Sequence, residues 1–68
     1  MAHYTLKIYR RQRPQQLPGE LVGEFTIAAN AEDGAIASVM PNYATHLANS
    51  NYAVIGDPHG RIIWERYA

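Results

Sequence analysis

Residues 52–67 read Tyr52-Ala53-Val54-Ile55-Gly56-Asp57-Pro58-His59-Gly60-Arg61-Ile62-Ile63-Trp64-Glu65-Arg66-Tyr67. Two apolar runs flank Asp57-Pro58-His59-Gly60. Pro58 presets the first central residue of a type I turn, Asp57 can accept from the amides of the turn it opens, and Gly60 takes the left-handed conformation of a bulge. The stretch predicts a tight antiparallel hairpin whose three-residue loop pairs Asp57 with Arg61, Ile55 with Ile63 and Val54 with Trp64. In that register Val54, Ile62 and Trp64 share one face, and Ile55, Ile63 and Tyr67 the other. A hairpin apolar on both sides needs more sheet beside it and a layer above it.

The sheet partners precede it. Residues 3–11 alternate, with Tyr4, Leu6 and Ile8 on one face and His3, Thr5, Lys7, Tyr9 and Arg11 on the other, the pattern of a half-buried strand. Residues 12–19 carry two Pro and one Gly and read as a polar connection. From Glu20 to Ala29 a second strand puts Leu21, Phe25 and Ile27 on one face and Glu20, Val22, Glu24 and Thr26 on the other. Its eight-residue link is too short for a parallel crossover, so it runs antiparallel to the first.

The covering layer is helical. Asn30 is placed to cap a helix whose first turn holds Glu32 and Asp33, acids that suit the positive helix end. Ala35, Ile36, Val39, Met40, Tyr43, Ala44 and Leu47 recur at three- and four-residue steps and form one stripe. Pro41 removes an amide and crowds the carbonyl of Ala37, and Gly34 weakens the helix. Because the stripe keeps its phase across Pro41, we expect one kinked helix over about 31–48 rather than two, the alternative being a second helix that starts at Pro41. The expected fold is α+β: a single domain over 1–68 with a four-stranded antiparallel sheet in ββαββ order and one kinked helix packed on one face. Tyr9, Val22 and part of the Ile62/Trp64 set are then left on the other face, and an exposed apolar patch on a small protein marks an interface.

Composition sharpens that expectation. Of 68 residues 47% are hydrophobic, but ten are Ala and five Tyr, leaving seventeen large apolar side chains. A domain this small buries only about 60% of its unfolded surface, so association is expected, including a homodimer. With no Cys there is no disulfide framework and no thiolate nucleophile. No basic start followed by a long apolar run is present, so we expect neither signal peptide nor transmembrane helix, and a soluble cytoplasmic protein.

Catalytic constellations are not legible. Glu20 and Glu24 share a strand face but stand about 13 Å apart, beyond the reach of a carboxylate pair. Ser38 lies about 12 Å along a helix from His46 and has no nucleophile turn around it. His3, His46 and His59 follow no metal-ligand spacing, and the five glycines form no phosphate-binding run. We therefore expect no enzyme, no metal and no cofactor.

The charge is zero only as a sum. Lys7, Arg10, Arg11 and Arg13 place four of the six cations within seven positions, so residues 1–19 carry +4 and the remaining 49 carry −4. With Tyr9 among them they form a basic hairpin suited to a partner's acidic surface, since Arg and Tyr are enriched at interfaces. The sequence reading is a non-enzymatic protein–protein interaction module, a small stand-alone inhibitor or regulator of the kind phage and mobile elements carry. It docks on a larger protein or complex through Lys7, Tyr9, Arg10, Arg11, Arg13, Tyr52 and Trp64. Single-stranded nucleic acid held by the same basic hairpin with Tyr9 is the alternative.

Overall fold

The structure, a computed structural model, describes residues 1–10 and 19–67. Strands β1 (Ala2–Arg10) and β2 (Glu20–Ala29) are followed by helices α1 (Glu32–Ala37) and α2 (Val39–Ala48), then by strands β3 (Tyr52–Gly56) and β4 (Ile62–Tyr67). The four strands form one antiparallel sheet in the order β2-β1-β3-β4, so the fold is α+β, as expected. The polar connection expected over 12–19 lies outside the described residues except for Gly19, whose φ of 98° is open to glycine at little cost.

Alternation builds the core. Tyr4, Leu6 and Ile8 of the central strand β1 point to one face, where Ile27 of β2 and Ala53 and Ile55 of β3 join them. The helices lay Ala35, Val39 and Leu47 over that face. Four large side chains, Leu6, Ile8, Val39 and Ile55, are sealed from solvent almost completely, and all four sit where both central strands meet the helical layer. Around this centre Phe25 contacts Tyr43 and His46 at ring-centroid distances of 4.9 and 4.8 Å, closing the β2 side.

The helical segment is interrupted at Ser38, which divides it into two helices, while its kink lies at Tyr43, two residues beyond Pro41. Ser38 keeps near-helical dihedrals (φ −79°, ψ −14°) and its amide is shared between the carbonyls of Gly34 and Ala35. Pro41 has no N–H to return to Ala37, so the hydrogen-bond ladder is interrupted one turn before the proline, which falls within the first turn of α2. Beyond it Tyr43 also leaves helical geometry (φ −128°, ψ 18°). The stripe survives in part: Ala35, Val39 and Leu47 are buried and Ile36 and Tyr43 half-buried, while Met40 and Ala44 face out. Asn30 does not cap. Ala29 still pairs with Ala2 in the sheet, so α1 begins one residue later and Ala31 takes the cap position without a side-chain bond.

The hairpin turn forms as expected. Asp57 N–H donates to the Arg61 carbonyl at 2.8 Å, and Asp57 Oδ1 accepts from the amides of His59 (2.9 Å) and Arg61 (2.7 Å). Gly60 adopts φ +89°. Burial raises the Asp57 carboxyl pKa, but the hydrogen bonds from Arg61 and His59 and the Arg61 charge outweigh it and hold the group below its ordinary value.

Two bulges change which residues face where. In β1·β2, Ile8 pairs with Gly23 but Tyr9 pairs with Leu21, so β2 spends an extra residue. Leu21 is thereby moved beside Tyr9 and away from Phe25, contrary to the expected alternation, and Val22 lines a small cleft with Arg10, His46 and Asn49 on the helix side. In β3·β4, Gly56 pairs with Ile62 but Ile55 pairs with Trp64. The expected Ile55–Ile63 and Val54–Trp64 pairs are therefore replaced: Ile63 and Trp64 both pack against the core, and Tyr67 crosses to the opposite face.

Candidate functional site: the open face of the sheet

Both helices lie on one side, so among the described residues no element covers the other face of the sheet. The registers set its side chains in cross-strand rows. One row runs Leu21, Tyr9, Tyr52, Tyr67 across all four strands, from β2 through β1 and β3 to β4. The Tyr9 and Tyr52 ring centroids are 5.6 Å apart and those of Tyr52 and Tyr67 4.9 Å, both tilted contacts within the range where aromatic pairs attract. The next row is Glu24, Lys7, Val54, Glu65, and the one beyond it is Thr26, Thr5, Gly56, Ile62.

Burial varies sharply along these rows. Tyr52 is only 8% exposed, and Tyr9 and Tyr67 flank it. At the sheet edges Leu21 (48%), Ile62 (59%) and Tyr67 (57%) are open. Between the tyrosine row and Ile62 lies a groove of about 560 Å³, floored by Val54 and Gly56 and bounded by Lys7 and Thr5. Gly56 supplies no side chain to a row whose neighbours, Thr5 and Ile62, both do, and this gap deepens the groove.

Glu65 organises the acidic side of the face. Its Oε2 accepts from the hydroxyl of Tyr52 at 2.9 Å and from that of Tyr67 at 3.0 Å. Burial first, then the hydrogen bond and charge of Glu65, push the Tyr52 phenol up to about 12. No cation lies within ion-pair distance of Glu65 or Glu24 among the described residues, where the one ion pair joins Arg61 to Asp57 at 3.2 Å.

The residues singled out in the sequence do not form a single patch. Lys7, Tyr9 and Tyr52 share the open face. Arg10 points the other way and donates through Nε (3.3 Å) and Nη2 (2.9 Å) to the carbonyl of Asn49, tying the end of β1 to the negative end of α2. Trp64 packs under the helices beside Ile55. Arg11 and Arg13 lie outside the described residues. Tyr67, Leu21 and Glu65 join the face unforeseen: a tyrosine register-paired with Tyr52 was the available signal, and the bulge at Ile63 hid it.

Among the described residues no three His, Asp or Glu side chains are gathered as metal ligands, and no helix is long and apolar enough to cross a membrane. Compared with protein-family models, with curated proteins and with solved structures, the chain matches none of them.

Proposed function

We propose that this chain is a non-enzymatic interaction module that docks on a larger protein through its open sheet face, and acts there as a small inhibitor or regulator. The observation that carries the reading is the Leu21-Tyr9-Tyr52-Tyr67 row on the face opposite the helices, together with the groove beside it. Aromatic residues at the centre of an exposed patch with polar groups at its rim are the composition of an interface core. Glu24 and Glu65 on either side of Lys7 favour a protein over nucleic acid, because both carboxylates would oppose a phosphate backbone.

The test is affinity capture on the full chain in three forms, with and without nuclease, read by mass spectrometry. Ile62→Glu alters the open face and Met40→Glu the exposed outer side of α2. A partner lost with Ile62→Glu, kept with Met40→Glu and indifferent to nuclease supports the proposal. Retention by Ile62→Glu, or release by nuclease, overturns it. Light scattering on wild type and Ile62→Glu identifies a second copy as the occupant: a dimer in wild type that becomes a monomer in the variant assigns the face to self-association.

A further inference from the structure

Charge on the open face is distributed unevenly about one of its middle strands. Lys7 on β1 and Glu65 on β4 are both register partners of Val54, so they stand on opposite sides of β3, each about 4.8 Å from it. Neither is ion-paired among the described residues. In the next row Thr5 and Ile62 flank Gly56 in the same way. Ile62 is 59% exposed and stands beside a position without a side chain, so a knob on β4 adjoins a hollow over β3.

We propose that the free protein pairs with a second copy of itself through this face, sheet on sheet, with a two-fold axis along β3. Rotation about that strand exchanges its two sides. It sets Lys7 of each copy against Glu65 of the other, Val54 against Val54, and Ile62 of each over Thr5 of the other beside the Gly56 hollow. The charges select this axis. An axis between β1 and β3 would set Glu24 on Glu65, and an axis on β1, or one across the strands through the Lys7 row, would set Lys7 on Lys7; each incurs like-charge repulsion. An axis between β2 and β1 pairs Lys7 with Glu24 but leaves β3 and Ile62 uncovered. With the axis on β3, Glu24 falls beyond the edge of the other copy's β4, in solvent, and Asp57 is already paired with Arg61. Aligned sheets lie about 10 Å apart, a gap that a lysine and a glutamate side chain span together, and they cross at about −30°, an angle the axis bisects. The pairing needs nothing of the tyrosine row, whose rings are engaged within the chain. It goes beyond the docking of a larger protein: the dimer is the state of the face when no partner is present, and the two occupants exclude each other. Three short strands offer less than the roughly 800 Å² per partner of a standard interface, so the dimer is weak, with a dissociation constant of about 0.1–1 mM.

The test is sedimentation equilibrium on the full chain from about 0.05 to 2 mM, with Lys7→Glu and Glu65→Lys run separately and mixed in equal amounts. Wild type is expected to dimerise. Each variant alone should associate at least about tenfold more weakly, because like charges then face each other at both contacts. The mixture should recover the dimer: the new glutamate at 7 meets the new lysine at 65 across one contact, and native Glu65 meets native Lys7 across the other. Circular dichroism checks folding, and if Glu65→Lys unfolds, loss of the dimer in Lys7→Glu with its retention in Lys7→Arg decides. A wild type that stays monomeric at the top of the range, a dimer that Lys7→Glu leaves intact, or a mixture of folded variants no more associated than its components overturns the inference. Partner capture that depends on Ile62 is read independently, so a failed dimer leaves the docking surface standing.

Discussion

Tyr52 shows how far one residue's chemistry departs from its place in the fold. It belongs to the face opposite the helices, yet it is buried, with rings of its own row against it on both sides. Its phenol is raised from 10.0 to about 12. A phenol whose folded pKa exceeds its unfolded one stabilises the fold fully below the unfolded value and loses that contribution as pH rises through the folded one. Urea unfolding should therefore show stability falling between about pH 10 and 12, with a shallower fall in Tyr52→Phe. Identical slopes in both proteins would dissociate Tyr52 from the alkaline transition. The aromatic character of Tyr52 supports an expected place at an interaction surface, but its burial is not readable from the sequence, because the register that brings Tyr67 beside it is not. Trp64 went the other way, and both errors trace to one extra residue at Ile63.

At the scale of elements, hydrophobic periodicity located every strand and the helical segment, because it depends on many residues at once. What it missed were places where a single residue decides. A bulge reverses the facing of everything beyond it, and neither Leu21-Val22 nor Ile62-Ile63 carries a sequence mark saying which residue is the extra one. The bulges also fall on the two edge strands, β2 and β4, where an irregular ladder discourages edge-to-edge pairing with another chain. The helix break is similar: the effect of Pro41 was foreseen, but the missing hydrogen bond is felt at Ser38, one turn earlier. α1, with six residues, is the weakest element, and Gly34 stands within it. An added Cβ there would meet only the Ala29 Cβ, at an ordinary 3.6 Å. Gly34→Ala should accordingly stabilise the protein by about 0.5–1 kcal/mol in urea unfolding. Destabilisation instead would mean that α1 cannot tighten against β2.

For the molecule as a whole, the limiting fact is thinness. The radius of gyration is 11.6 Å, near the roughly 11 Å expected of a compact 68-residue domain, but the shortest extent is only 15 Å, the depth of one sheet and one helical layer. Such a body has one interior, and four side chains carry its dry centre. A domain of this length is stable by about 3–10 kcal/mol, and truncating a sealed leucine costs about 2–5 kcal/mol, so one core position commands a large share of the total. Leu6→Ala, on the central strand, should leave a substantial fraction of the chain unfolded at 37 °C by circular dichroism. Leu21→Ala, on the edge of the open face, should cost about 1 kcal/mol or less and leave the melting curve nearly intact. The pair tests whether the two apolar surfaces differ physically, one side of the sheet holding the fold together and the edge of the other not being needed for it. A large loss of stability in Leu21→Ala would make the open face part of the folding core and remove the premise that it is kept for a partner.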